Sequence, residues 1–274
     1  MTLLKTIKAA THSAKRNTLE NVDCANEYTG TINPYGDRTL VSDLRAEDEI
    51  ISVLQSSNVE FAILTEEKGF LKPARQPEYL AIVDPIDGSA NLRRGIPLAS
   101  IGISIVPFDS RMTSDDAEIS VIESVFSNET YVAIKNEGVT RNGTKLTTAA
   151  PVNLADAVIS YDTKRAWESD FLESSVRIMS AVHDIRRTGS NLLDLCWTAA
   201  GLLDGMVDMR NRLPVIHICG THMVFEAGGF VLDQRGERFC CPLEQGVMMN
   251  FVAASNEELA RLILDTLKGL RERP

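Results

Sequence analysis

The stretch that most constrains this chain is Tyr79–Pro97, reading YLAIVDPIDGSANLRRGIP. Tyr79–Val83 is an almost unbroken apolar run of strand length and reads as a buried strand. It leads directly into Asp84, Pro85, Ile86, Asp87, Gly88 and Ser89. Two carboxylates three positions apart, stiffened by a proline and released by a glycine, make an acidic corner suited to a hard divalent cation. Gly88, Ser89, Ala90 and Asn91 read as the first turn of a short helix, whose free N–H groups favour an anion, phosphate above all. One short segment thus offers a metal seat and a phosphate seat. The plainer reading is a strand followed by an Asx turn with solvated aspartates.

The remaining composition narrows the partners. A net charge of −10 argues against a nucleic-acid or anionic-membrane surface. It leaves an anionic substrate open, because bound cations reverse the local sign of a site. The five cysteines (Cys24, Cys196, Cys219, Cys240 and Cys241) include no C-x-x-C pair and suggest neither a disulfide framework nor a zinc ribbon. The opening MTLLKTIKAATHSAKRN is too interrupted by lysine for a signal peptide, and no run approaches the ~20 apolar residues of a membrane span. A cytoplasmic location follows as the default expectation.

Read in order, Leu3–Asn17 is an amphipathic helix and Asn21–Asp37 a hairpin or loop. Ser42 or Asp43 caps a helix reaching about Leu54. Asn58–Leu64 is a strand, Lys68–Pro77 a loop, and Leu98–Val106 a strand after the signature. Glu118–Phe126, Thr130–Ile134 and a turn at Asn142–Gly143 extend an antiparallel sheet. Beyond about residue 150 strands and helices alternate. Val158–Tyr161, Asp184–Arg187, Gly205–Met209, Phe230–Leu232 and Met249–Ala254 are the expected strands. Ala166–Ala181, Asn191–Leu203 (capped by Ser190), His217–Ala227 and Glu257–Arg271 are the expected helices. The organisation is α+β, with residues 1–150 and 151–274 as two halves of one compact unit.

The full string D-P-I-D-G-S-x-N after an apolar strand resembles the signature of the inositol monophosphatase family, the Mg²⁺-dependent, lithium-sensitive phosphatases. The order of elements matches that family's layered αβαβα sandwich, so the resemblance covers nearly the whole chain. It implies a metal-dependent phosphomonoesterase that releases phosphate from a small polyol or sugar phosphate by direct attack of water. The V-D-x-R segment at Val207–Arg210 and the N-x-x-R-G-I-P continuation lean toward the archaeal-type branch, with inositol 1-phosphate and fructose 1,6-bisphosphate as leading substrates. 3′-Phosphoadenosine 5′-phosphate and NADP are further candidates. The rival reading is a weakened or inactive member that binds or regulates. The family also implies a homodimer.

Carried over residue by residue, the resemblance makes Glu66, Asp84 and the Ile86 carbonyl the ligands of one Mg²⁺, and Asp84 with Asp87 those of a second. Glu66 also orients the attacking water. Asp43, by itself a plausible helix cap, partners the Ser89 hydroxyl, where the family more often has threonine. Asp87, Gly88, Ser89, Gly189, Ser190, Asp208 and Arg210 contact substrate, with Arg210 meeting a second phosphate. Read alone, Gly189–Ser190 is a helix cap, and Asp208 with Arg210 a surface ion pair. One departure stands out. The family places an aspartate ten residues before E-A-G-G, here Glu226–Gly229, where it helps hold the second metal. Counting back from Glu226 puts Ile216 at that place, whereas counting forward from Asp208 puts His217 there. A histidine ligand suits Mn²⁺ or Zn²⁺ better than Mg²⁺.

Overall fold

A run as apolar as Tyr79–Val83 needs cover on both faces, and the surrounding layers supply it. The structure is a computed structural model describing residues 2–164 and 168–270. The chain opens with helix α1 (Leu3–Glu20), a hairpin of β1 (Tyr28–Ile32) and β2 (Arg38–Leu40), and helix α2 (Val41–Gln55). Strands β3 (Phe61–Thr65), β4 (Gly69–Leu71) and β5 (Tyr79–Asp87) follow, then the single turn α3 (Ser89–Leu92). Strands β6 (Ser100–Pro107), β7 (Ile119–Ser124), β8 (Thr130–Ile134), β9 (Gly138–Arg141) and β10 (Thr144–Leu146) complete this half. Their sheet runs β10-β9-β8-β7-β6-β5-β3-β4. Its pairings are antiparallel except for β3 with β5.

The second half begins with β11 (Val158–Tyr161), α4 (Ser169–Ala181), β12 (Asp184–Arg186) and α5 (Asn191–Ala199). It continues through β13 (Gly205–Pro214), α6 (Ile218–Glu226), β14 (Phe230–Leu232), β15 (Met248–Ala254) and α7 (Glu257–Lys268). Its sheet runs β12-β11-β13-β15-β14, with β11 parallel to both neighbours and β15 antiparallel to both of its own.

Period-two alternation divides β5 between two cores. Ala81 and Val83 pack with Ile7 and Ala10 of α1 and Ile50 and Leu54 of α2. Leu80 and Ile82 point the other way, into a core shared with Leu192 and Leu195 of α5, Met223 of α6 and Phe251 of β15. A third core joins Ile159, Val207 and Val252 to Ile178 of α4 and Ile263 of α7. The layers are therefore helix, sheet, helix, sheet, helix, the αβαβα sandwich expected.

Several local expectations change. The signature is not a turn: β5 runs through Asp87. Ser42 and Asp43 do not cap α2; they lie in its first turn behind Leu40, whose side chain makes no capping bond. Gly69–Leu71, expected as loop, is a strand paired with β3. The helix after Gly189 ends at Ala199 rather than Leu203. The expected helix start at Ala166 and helix end at Arg271 lie outside the described residues. Among the described residues, no helix is long and apolar enough to cross a membrane.

Candidate active site

The acidic corner is made by a β-bulge. Asp84 lies opposite Gly102 and Asp87 opposite Ser100, so β5 carries one residue more than β6 over this interval. In a regular strand, side chains three positions apart point to opposite faces. The extra residue brings Asp84 and Asp87 back to one side, and Pro85, which has no N–H to donate, is tolerated there. The parallel pairing of β3 with β5 sets Thr65 against Val83, which carries Glu66 to the side of Asp84. The 18-residue gap between Glu66 and Asp84 in sequence is closed by one ladder step.

Asp87 is held from behind. Its Oδ2 accepts from Ser190 Oγ at 2.6 Å and from the Leu192 N–H at 2.7 Å. Ser190 Oγ in turn accepts from the Leu193 N–H at 3.3 Å. Asp87 and Ser190 together cap α5, which favours negative charge at its N-terminus. Burial pushes the Asp87 carboxyl up, but His217, Ser190 and the Leu192 N–H outweigh it and hold the group below its usual range.

The opposite wall is the short turn Val215–His217. His217 Nε2 stands 3.1 Å from Asp84 Oδ2 and 3.7 Å from Asp87 Oδ1. Potential ligand atoms of Asp84, Asp87 and His217 all lie within 4.8 Å of one another, with every member of the triad buried. Ile216, the other claimant to the aspartate's place, is wholly buried in the inter-sheet core.

Asp84 is fully buried, and neither of its carboxylate oxygens has a hydrogen-bond partner. Burial, with Glu66 and Asp87 nearby, pushes its carboxyl well above the usual range. Burial, then Glu67 and Asp43, does the same to Glu66, and burial, then Glu67, to Asp43. Carboxylates crowded out of water need either protons or cations. An orphaned, buried carboxylate among further carboxylates is an oxygen-donor set that fits a divalent cation.

A cleft of about 1020 Å³ opens onto this cluster, ample for a small phosphorylated ligand. Glu66, Asp84, Ile86 and Asp87 line it, as do Gly88, Ser89, Gly189 and Arg210. Gly88, at φ +90°, starts the turn below the bulge; a Cβ there would sit 2.7 Å from the Leu98 carbonyl oxygen. A larger groove of about 1550 Å³ between α4 and α7 contains none of the expected site residues, so size alone does not locate the chemistry.

Four expected site residues are placed differently. Ser190 is wholly buried, and its hydroxyl serves Asp87 rather than the cleft. Asp208 is also wholly buried and accepts from the Arg210 backbone N–H at 3.1 Å and Nε at 2.9 Å. The expected Asp43–Ser89 hydrogen bond is absent among the described residues; Asp43 Oδ1 instead accepts from Ser42 Oγ at 3.0 Å. Arg210 reaches the cleft wall with its donors already committed. Its Nη2 pairs with Asp162 at 2.8 Å and with Asp208, Nη1 donates to the Lys164 carbonyl at 2.8 Å, and the side chain is 4% exposed.

Sequence reasoning missed Asp162, Lys164 and Arg187, all of which line the cleft. Arg187 donates to Asp162 Oδ1 at 2.6 Å yet leaves 33% of its side chain exposed. The available signal was position. Asp162 follows a strand in a parallel pairing, as Glu66 does, and the carboxyl ends of such strands are where open sheets bind ligands.

The sequence profile of the inositol monophosphatase family matches residues 5–270. The fructose-1,6-bisphosphatase/inositol-1-monophosphatase of Methanothermobacter thermautotrophicus is 29% identical over 244 residues, covering 85% of this chain and 84% of that one. The inositol-1-monophosphatase of Mesorhizobium japonicum is 31% identical over 237 residues, 85% of this chain and 84% of its own. The crystal structure of the extragenic suppressor protein suhB from Bartonella henselae superposes with a TM-score of 0.83 at 25% identity, covering 97% of this chain and 98% of that one.

Proposed function

The chain belongs to the inositol monophosphatase family and is a metal-dependent phosphoric monoester hydrolase of small phosphorylated substrates; from that premise we propose that it hydrolyses inositol 1-phosphate, fructose 1,6-bisphosphate or both, using Mg²⁺. The observation that carries this reading is Asp84, wholly buried, with both carboxylate oxygens unpartnered beside Asp87 and Glu66. Glu66, Asp84, Asp87 and the Ile86 carbonyl are the proposed ligands. Divalent cations bound there supply the charge neutralisation and water activation that phosphoryl transfer needs.

The protein's own groups do the positioning. Glu66 orients the attacking water from the end of β3. Gly88 and Ser89 seat the phosphate at the foot of the bulge, where the lack of a Cβ on Gly88 lets the turn pack against the Leu98 carbonyl. Asp43 acts through its neighbours Glu66 and Glu67 as a positioning residue. Ser190 holds Asp87, and Asp208 with Asp162 holds Arg210; none of the three touches substrate on this reading. A second phosphate, as in fructose 1,6-bisphosphate, meets Arg187 and Lys164, whose side chains remain open to the cleft. The halves 1–150 and 151–274 work as one unit, a reading supported by the core that both sheets share. The family resemblance also supports a homodimer.

The test is phosphate release from inositol 1-phosphate, fructose 1,6-bisphosphate, 3′-phosphoadenosine 5′-phosphate and NADP, each with Mg²⁺ or Mn²⁺. The expected result is metal-dependent release from one or both of the first two, lost in Asp84→Asn. Release only from a nucleotide would move the substrate assignment. No release from any of them by folded protein would favour the second reading, a binding or regulatory protein, which the suppressor name of the Bartonella relative supports.

A further inference from the structure

The residue at the place of the family's second-metal aspartate is a histidine, and its surroundings assign it a specific chemistry. His217 Nδ1 lies 3.1 Å from the Pro214 carbonyl oxygen. A carbonyl only accepts, so Nδ1 is the donor to it, and Nε2 is the ring nitrogen left to face the cluster. Nε2 faces two buried carboxylates, 3.1 Å from Asp84 Oδ2 and 3.7 Å from Asp87 Oδ1. Neither of Asp84's oxygens has a hydrogen-bond partner. Three potential ligand atoms, one nitrogen and two carboxylate oxygens, thus converge within 4.8 Å in a buried space.

The spacing suits one. Ligand atoms about 2.1 Å from a common ion at a tetrahedral angle stand roughly 3.4 Å apart, and 3.1 and 3.7 Å bracket that separation. The outer contacts are also those of a ligand set. Asp87 has one oxygen held by Ser190 and Leu192, and His217 has one nitrogen held by Pro214, leaving each a single free atom turned inward.

We infer that His217 ligates the second cation together with Asp84 and Asp87, making that position a mixed nitrogen–oxygen site for a borderline divalent transition cation rather than for Mg²⁺. This deepens the phosphatase reading and rests on its identification of a cation site. Imidazole binds Zn²⁺ well, whereas Mg²⁺ takes oxygen ligands. Loss of one carboxylate also removes negative charge that a hard, strongly hydrated ion needs if it is to shed water. The two cation positions thereby differ in kind: Glu66, Asp84 and the Ile86 carbonyl are all-oxygen, whereas the second includes one nitrogen.

The experiment uses the full chain labelled with ¹⁵N-histidine and follows the ring nitrogens by long-range ¹H–¹⁵N spectra during titration with Zn²⁺ or with Mg²⁺. Four histidines give four ring systems, and either His217→Gln or His217→Asp assigns the relevant one by difference. The expected result is that Zn²⁺ shifts His217 Nε2 and saturating Mg²⁺ leaves it in place. By calorimetry, the preference of the second position for Zn²⁺ over Mg²⁺ should fall on the order of 10-fold or more in His217→Asp. Zn²⁺ binding that leaves the His217 signals unmoved would overturn the assignment and make the ring a direct ion-pair partner of the two aspartates. Phosphate release measured on the same samples separates the two claims. A shifted ring without turnover keeps the ligand and sinks the phosphatase, while turnover with an unmoved ring does the reverse.

Discussion

Replacing Ser190 by alanine tests whether the site is held from behind by α5. The hydroxyl donates to Asp87 Oδ2 at 2.6 Å and accepts from the Leu193 N–H at 3.3 Å, in a wholly buried position. Losing a hydrogen bond to a charged group costs roughly 1.5–3 kcal/mol, and losing a helix N-cap about 1 kcal/mol. Because one oxygen serves both contacts and Leu192 still donates to Asp87, the expected total is about 3 kcal/mol rather than the upper sum. For a chain of this size that lowers the unfolding temperature by roughly 6–12 °C. Thermal unfolding followed by circular dichroism reads it directly. A double-mutant cycle with Asp87→Ala separates the shared bond from the cap, with an expected coupling of roughly 1.5–3 kcal/mol. The account fails if Ser190→Ala costs less than about 1 kcal/mol or if the coupling is below about 0.5 kcal/mol.

Three further outcomes follow from the same geometry. Asp84→Asn removes a buried, unpartnered charge, so cation-free protein should become more stable by roughly 1–3 kcal/mol while the stabilisation by added divalent cation disappears; a cation-dependent rise in melting temperature that persists in the variant would contradict this. Gly88→Ala forces an L side chain to φ +90° with its Cβ 2.7 Å from the Leu98 oxygen, which should cost roughly 1–3 kcal/mol and abolish phosphate release, and wild-type melting and turnover would refute it. Burial pushes the His222 imidazole down from 6.5 to about 4, so below pH 6.5 the unfolded chain binds a proton the folded one does not, and stability is lost as pH falls from 6.5 to about 4. The full loss is on the order of 3 kcal/mol, and urea unfolding of His222→Gln at pH 7.5 and 4.5 should show a correspondingly smaller fall than wild type.

Features set by local pattern were legible. Ser190 before the apolar pair Leu192–Leu193 is a helix cap wherever the helix packs. Asn142–Gly143 between short strands is a hairpin turn, and Tyr79–Val83 is a buried strand. Each depends on neighbours within a few residues. Asp43 shows the limit: a good capping residue by type, it sits inside the first turn of α2 because the chain enters that helix through β2.

The Asp208–Arg210 pair failed for a related reason. Residues two apart on a strand share a face, but that rule does not say which face the cleft occupies. Here Asp162, brought alongside by β11, and Asp208 hold the guanidinium back in the protein. Arg187 and Lys164, from segments with no evident motif, are left to face the cleft.

The sequence by itself determined the layered order of elements and the chemical inventory of the site, because hydrophobic period and residue type are local properties. It also determined that an aspartate is missing before Glu226–Gly229. Only the tertiary structure decided what stands in its place. A one-residue ambiguity in counting rotates a side chain from core to cleft. The turn at Val215–His217, fixed by Ile216 in the inter-sheet core and by the Pro214 carbonyl on Nδ1, turns the imidazole rather than the isoleucine toward Asp84. The bulge in β5 was decided the same way: the added residue is visible only against the strand it pairs with, and it sets two aspartates three positions apart on one side.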